Sequence, residues 1–256
     1  MTELTPDNSS RPERISVRHM FDVLLSAFNL DRGLGYTLKG LLIHPKKAVN
    51  EYLYEDRRRM VHPLRFLFFT TAIAAFLNLQ FVMNEEEFAK GAAAGSELYD
   101  EDIAEEPLDA AKAEERERVV QQAMKEYFRF LTNYQNLLLL IFVPIASFCT
   151  WLFFRKRKFY YGEHLAMNSY AVGFQNLIYM AIVPFLALHS SIALLYFGLT
   201  MLYLLYFYIV IFEAEGGKAV MASLGAMLSA YFLYVVVLIG VVAALMVYVV
   251  VKSAGS

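Results

Sequence analysis

Apolar residues gather along the chain into five runs separated by polar or charged segments, at about 63–83, 134–154, 165–188, 192–212 and 226–251. A bilayer core of ~30 Å takes ~20 apolar residues in a helix, because no water is present there to satisfy backbone groups. Each run meets that length. The last lies inside 219–251, a stretch without a charge that is longer than one crossing. Its first half, with Gly225 and several Ala and Ser, reads either as a tilted extension or as a separate surface helix, and six spans is the alternative count.

Upstream of the first run the pattern changes to helical amphipathicity. Residues 1–14 form a polar tail. From Ile15 to Leu30, Val17, Phe21, Leu24, Leu25 and Phe28 recur at helical spacing, opposite Arg18, Asp22 and Asn29. Asp31, Gly33 and Gly35 break that helix, and a short apolar segment follows from Tyr36 to Ile43. A further helix starts at Pro45, since proline suits a first helical turn, and carries Val49, Tyr52 and Leu53 on one side. Residues 15–62 are therefore expected as interfacial helices held against the lipid surface. The loop 84–133 differs in kind. Within it 85–106 has no dense apolar pattern and is expected to be mobile, whereas Ala110 to Phe130 reads as helix leading straight into the second span. The fold class is all-α: a polytopic membrane helix bundle of about five transmembrane helices, preceded by N-terminal interfacial amphipathic helices.

Composition agrees. Of 256 residues 58% are hydrophobic and only 19% charged, and the mean hydropathy is +0.41. A formal charge of −2, from 23 basic and 25 acidic residues, leaves no basic excess for nucleic acid. The charges are unevenly placed. Arg57, Arg58, Arg59 and Arg65 flank the start of the first span, and Arg155, Lys156, Arg157 and Lys158 follow the second, while 84–133 holds 14 acidic against 6 basic residues. Basic flanks stay cytoplasmic, so both clusters predict a cytoplasmic N-terminus and, by alternation, an external C-terminus in a cell inner membrane. The polar tail does not read as a signal peptide, so the first span is expected as an uncleaved signal anchor.

The spans hold no Asp, Glu, Lys or Arg away from their ends, which disfavours a proton pump or cation channel, since intramembrane charges mark such paths. They do hold amides: Asn78 and Gln80 in the first, Asn133, Gln135 and Asn136 at the mouth of the second, and Asn168, Gln175 and Asn176 in the third. The most chemically suggestive run is Tyr160-Tyr161-Gly162-Glu163-His164-Leu165. On a helix continued from Glu163, the residues His164, Asn168, Ala171 and Gln175 share one stripe, with Ser169, Gly173 and Asn176 beside it. That stripe should face protein. Its candidate ligand-binding set is Glu163, His164, Asn168 and Gln175, with His62 at the start of the first span.

Structural hydrogen bonding competes with ligand recognition and catalysis as the role of that set. Adjacent Glu and His point in different directions and do not form the helical two-histidine zinc motif, so no metal and no cofactor is assigned. Neither a Gly-x-Ser-x-Gly elbow nor a phosphate-cradling loop is present, and the single cysteine, Cys149, lies among apolar neighbours. No catalytic residue is assigned. Pro144 and Pro184 interrupt the apolar pattern of the second and third spans, where a kink absorbed by packing is the commoner outcome and a cavity or hinge the alternative.

Two stretches together resemble an uncharacterised family of bacterial multi-spanning membrane proteins, a domain of unknown function frequent in Bacteroidetes. They are Arg32 to Leu38, continuing through Leu41-Leu42, His44-Pro45, Tyr52-Leu53, Arg57 and Pro63, and Tyr161 to Leu165. Fuller members resemble chains that begin with a cysteine zinc ribbon, which is lacking here, and Glu55 stands where the family tends to have Gly. The resemblance implies a membrane fold without an established reaction.

The favoured functional expectation is a non-enzymatic scaffold that binds lipid or a protein partner, with Arg57, Arg58, Arg59, Arg155, Lys156, Arg157 and Lys158 facing anionic headgroups. The rival is a small transporter or membrane enzyme with a pocket at the cytoplasmic end of the third span. Oligomeric state is not read from the sequence.

Overall fold

The computed structural model describes residues 33–82, 110–157, 159–186, 190–214 and 216–254. The amphipathic helix expected at 15–30 and the acidic segment 85–106 lie outside the described residues. Helix α1 is Leu34–Ile43 and α2 is Pro45–Asn50, which continues as a π-helical turn, Glu51–Glu55. Helices α3 (Pro63–Phe81), α4 (Ala110–Phe154), α5 (Tyr161–Leu186), α6 (Ser190–Ile211) and α7 (Gly217–Ala254) follow. Five helices, α3 to α7, are long and apolar enough to cross a membrane, and no strand occurs among the described residues. The protein is an all-α, multi-pass membrane bundle.

The helix starts follow from local sequence. His62 is extended, at φ −55° and ψ 131°, because the next residue is proline, and Pro63 occupies the first position of α3, where its missing N–H costs no bond. Pro45 starts α2 in the same way after His44. Helix α5 starts at Tyr161, one turn before the expected Leu165, because the Glu163 side chain reaches back to the Tyr160 N–H at 2.7 Å and caps the first turn. Pro144 and Pro184 do not end their spans; both lie within continuous helices. The uncharged C-terminal stretch is one helix. At 38 residues α7 is about 57 Å long, and α4, at 45 residues, is about 67 Å. Helix α4 runs without a break from Ala110 into its membrane span, as its pattern predicts.

Contacts fix the directions. Along α3 and α5 the pairs Phe66–Tyr170, Thr71–Asn176 and Asn78–Tyr179 advance together, so the two helices are parallel. Between α5 and α6, Asn168 meets Tyr208 whereas Gln175 meets Thr200, so these are antiparallel. Helices α4 and α7 are also antiparallel, with Tyr234 bonded to the Leu138 carbonyl and Gly225 against Phe153. Helix α5 packs on α3, α4 and α6, and is the most buried of the five spans.

One end of the bundle carries the starts of α3 and α5 and the end of α4, and with them Arg57 to Arg59, Arg65 and Arg155 to Arg157. This basic end is covered by α1 and α2. Here the arrangement differs from helices lying only on lipid: Leu41, Ala48, Val49 and Tyr52 are buried in the core shared with Phe66, Tyr170 and Phe212. Their opposite side keeps Leu42, Ile43 and Tyr54 exposed. The hydrophobic effect explains the docking, since each fully buried aliphatic side chain contributes ~1.5–3 kcal/mol.

Candidate functional site

Two polar assemblies meet at the basic end. The first lies wholly inside the bundle. His164, Asn168, Thr150, Ser147 and Tyr208 are buried on the facing sides of α4, α5 and α6. The Thr150 hydroxyl donates to its own helix, to the Ala146 carbonyl at 2.9 Å or that of Ser147 at 3.1 Å. It accepts from Asn168 Nδ2 at 3.1 Å and is hydrogen-bonded to His164 Nδ1 at 3.1 Å. Asn168 also donates to the His164 carbonyl at 2.9 Å, and its Oδ1 accepts from the Tyr208 hydroxyl at 2.6 Å. The His164 ring stacks on Phe212 at 5.3 Å and meets Phe159 edge-on at 5.9 Å. Its Nε2 is buried without a hydrogen-bond partner among the described residues.

The expected stripe therefore faces protein: His164, Asn168, Ser169, Ala171, Gly173, Gln175 and Asn176 are all buried. The five candidate ligand-binding residues do not form one site. Glu163 caps its helix, and partial desolvation together with its carboxylate pushes the Tyr54 hydroxyl up to about 12. Gln175, about two turns past Asn168, donates to the Thr200 carbonyl at 3.0 Å. His62 is exposed and meets the Tyr52 ring edge-on at 6.2 Å, sharing no contact with His164 among the described residues. Among those residues no group of three His, Cys, Asp or Glu side chains is arranged to hold a metal ion.

The second assembly holds the N-terminal helices on the bundle. Glu51, only 4% exposed, accepts from Arg59 Nη1 at 2.9 Å and from the Tyr36 hydroxyl, while the Arg59 guanidinium lies over the Tyr36 ring at 5.2 Å. The Glu51 carboxylate raises the ordinary values of both partners. Val61 is pinned from both sides. Its N–H donates to Thr37 Oγ1 at 3.0 Å and its carbonyl accepts from the Tyr170 hydroxyl at 2.6 Å. Gly33 opens α1 at φ 104°, where a Cβ would stand 2.5 Å from the Arg59 carbonyl oxygen, so only glycine lets the two strands of chain approach.

A clamp completes this cap. Lys46 and Arg157 both reach Glu213, which stands in the left-handed region at φ 46° between α6 and α7. Arg157 Nη2 also donates to the Glu213 carbonyl at 2.9 Å. The seven residues expected to face headgroups thus divide. Arg59 pairs with Glu51 and Arg157 with Glu213. Arg57 lies over Tyr52 at 5.9 Å and reaches the Leu53 carbonyl, while Arg58, Arg155 and Lys156 are exposed and pair with no carboxylate among the described residues. Lys158 lies outside the described residues.

Residues 31–75 match the model of a family described as a protein of unknown function (DUF3667). No curated protein and no solved structure matches the chain. The matched segment spans α1, α2, the π-turn and the first two-thirds of α3, and so contains Tyr36, Thr37, Glu51, Arg59 and Val61. The similarity therefore falls on the cap and its attachment, not on the later spans.

Several of these residues escape a reading of the sequence. Nothing in the local pattern marks Glu51 as buried, for its partner Arg59 lies beyond the π-turn. Tyr170 and Tyr208 are indistinguishable from the many other aromatic residues. A usable signal exists only for Thr150, a hydroxyl in an otherwise apolar run.

Acid should loosen the cap. Partial desolvation, Arg65 and Arg57 hold the partly covered His62 imidazole below its ordinary value, so stability falls once pH drops below ~6.5, where undocked His62 takes a proton that the docked ring resists. Lys46 and Arg157 hold Glu213 below the usual carboxylate range, and its contribution is lost as pH falls through that lowered value. Both act in one direction. Hydrogen exchange in nanodiscs, corrected for intrinsic rates, should show residues 33–62 losing protection between pH 7 and 4. Unchanged protection of those residues over that range would refute this.

Proposed function

We propose a non-enzymatic membrane scaffold whose basic end binds anionic lipid headgroups. The observation that carries this reading is the contrast between the two assemblies. The polar cluster around His164 is buried inside the bundle and, apart from His164 Nε2, paired by its own hydrogen bonds, whereas Arg57, Arg58, Arg155 and Lys156 stand exposed at one end of the bundle beside exposed Tyr54, Tyr160, Leu42 and Ile43. Cations mixed with aromatic and aliphatic side chains suit the boundary between headgroups and acyl chains. The basic clusters and the acidic 84–133 segment support a cytoplasmic basic end and an external C-terminus, and the resemblance to bacterial membrane proteins supports the inner membrane.

The test replaces Arg57, Arg58, Arg155 and Lys156 with Gln and leaves Arg59 and Arg157 in place. At ~1 kcal/mol per cation near an anionic surface, retention of phosphatidylglycerol over phosphatidylethanolamine should fall at least tenfold. Native mass spectrometry from mixed-lipid nanodiscs reads that ratio. Unchanged retention in a folded variant would reject headgroup binding.

A further inference from the structure

A cavity of about 300 Å³ lies at the end of the bundle opposite the basic rim, between α3, α4, α5, α6 and α7. Its size falls at the lower end of small-molecule sites. Its apolar walls include Ala74, Leu138, Leu238, Val241 and Val242. Its polar lining includes Asn78, Asn176, Tyr179, Tyr196 and Tyr234, with no Asp, Glu, Lys, Arg or His. Tyr127 and Phe130 extend the lining past Asn136, where the α4 span begins, so the cavity straddles the membrane boundary.

The hydrogen bonds already made define what the lining still offers. The Tyr179 hydroxyl donates to Asn78 Oδ1, and the Tyr234 hydroxyl donates to the Leu138 carbonyl at 3.2 Å. With their single hydrogens used, both phenolic oxygens offer lone pairs. Asn176 is held through Nδ2 to the Thr71 hydroxyl at 2.9 Å. Tyr196 meets Tyr179 edge-on at 5.3 Å, and its hydroxyl makes no hydrogen bond among the described residues. The cavity therefore presents acceptor oxygens on Tyr179, Tyr234 and Asn176 and, at Tyr196, a hydroxyl able to donate or accept. A charged guest would lose its hydration with no counter-charge in return. A guest with carbonyls alone cannot donate to the Tyr179 and Tyr234 oxygens, whereas a guest with hydroxyls can donate to both and accept from Tyr196.

We propose that this cavity binds a neutral, hydroxyl-bearing amphiphile taken from the bilayer, with its hydroxylated ring among Tyr179, Tyr196 and Tyr234 and its alkyl tail along Leu238, Val241 and Val242. The position fits such a guest, because its hydroxyls come to rest at the aromatic level of the interface and its tail in the hydrocarbon. The site is independent of the basic rim, and either can fail without the other.

The probe is hexylresorcinol, compared with its dimethyl ether and with hexylbenzoate, by equilibrium dialysis against protein-loaded and empty nanodiscs. Hexylresorcinol is expected to bind with one saturable equivalent above partitioning. The ether, which keeps the shape but loses the donors, should bind roughly tenfold more weakly, and hexylbenzoate should show no saturable site. Tyr196→Phe should weaken hexylresorcinol about fivefold, and Val242→Phe, which fills the cavity, should remove the saturable component. Size-exclusion elution checks the fold of both variants, and Tyr196→Phe decides alone if Val242→Phe does not fold. Equal binding of phenol and ether, or hexylresorcinol binding untouched by Tyr196→Phe, would overturn the proposal in favour of an acyl-chain pocket.

Discussion

Gly173→Leu is expected to lower the stability of the bundle by about 3 kcal/mol or more, which is overpacking at the upper end of its usual range. A Cβ at position 173 would lie 2.6 and 2.7 Å from the ring carbons of Phe66 and 3.3 Å from Thr70 Oγ1. Phe66 cannot yield, because it is fully buried and its ring packs against Tyr170 at 6.1 Å. The clash falls on the contact between α3 and α5, which is among the most extensive in the bundle. Gly173→Ala separates two opposing effects. Alanine gains ~1 kcal/mol of helix propensity over glycine, but the same clash should exceed that gain and leave a net loss of ~1 kcal/mol. Adding Phe66→Leu to Gly173→Ala should recover most of it. Unfolding in mixed micelles of rising denaturing-detergent fraction measures all three variants, and a Gly173→Leu midpoint equal to that of the natural chain would refute the close approach.

Tyr170→Ala is expected to cost at least as much, with a loss of ~3–5 kcal/mol, the range for removing a large buried aromatic. The Tyr170 ring packs edge-on against Tyr52 at 5.6 Å, and its hydroxyl holds the Val61 carbonyl. Three parts of the chain therefore meet on one side chain: the cap, the segment leading into α3, and α5. Tyr170→Phe isolates the hydroxyl. It keeps the ring and leaves the Val61 carbonyl unsatisfied, at ~1–2 kcal/mol, and its effect should be regional. Hydrogen exchange should rise across residues 33–62 in the Phe variant and across the whole bundle in the Ala variant. Identical exchange patterns in the two would show that the hydroxyl does not hold the cap.

The membrane class, the five spans and the buried stripe of α5 were legible because each depends on a property written locally, namely run length, absence of charge, or helical spacing. His164, Asn168 and Gln175 had to face protein for the same reason that the surrounding Phe and Leu could face lipid. Local signals do not carry partners distant in sequence. Tyr208 meets Asn168, Glu213 meets Lys46, and Tyr170 meets Val61 only once the helices are packed, so neither the closure of the His164 cluster nor the docking of the cap could be read beforehand. His62 stands apart from that cluster for a reason that is local. Its chemistry resembles that of His164, but the proline after it makes it a helix-start residue at the exposed edge. The cavity was hidden for a further reason, since its tyrosines come from α4, α5, α6 and α7 and share no spacing.

The Lys46–Glu213–Arg157 clamp also orders assembly in time. During synthesis α2 emerges early, while Glu213 emerges only after α6, so Lys46 has no acid there to meet until four of the five spans have been made. Arg157, emerging between these two, waits as well. The N-terminal helices can therefore fasten fully to the basic end only when α6 has returned to that side of the membrane. A span inserted in the wrong direction would carry Glu213 to the opposite face and leave Lys46 and Arg157 without it, so the clamp records whether the preceding spans crossed in the right sense.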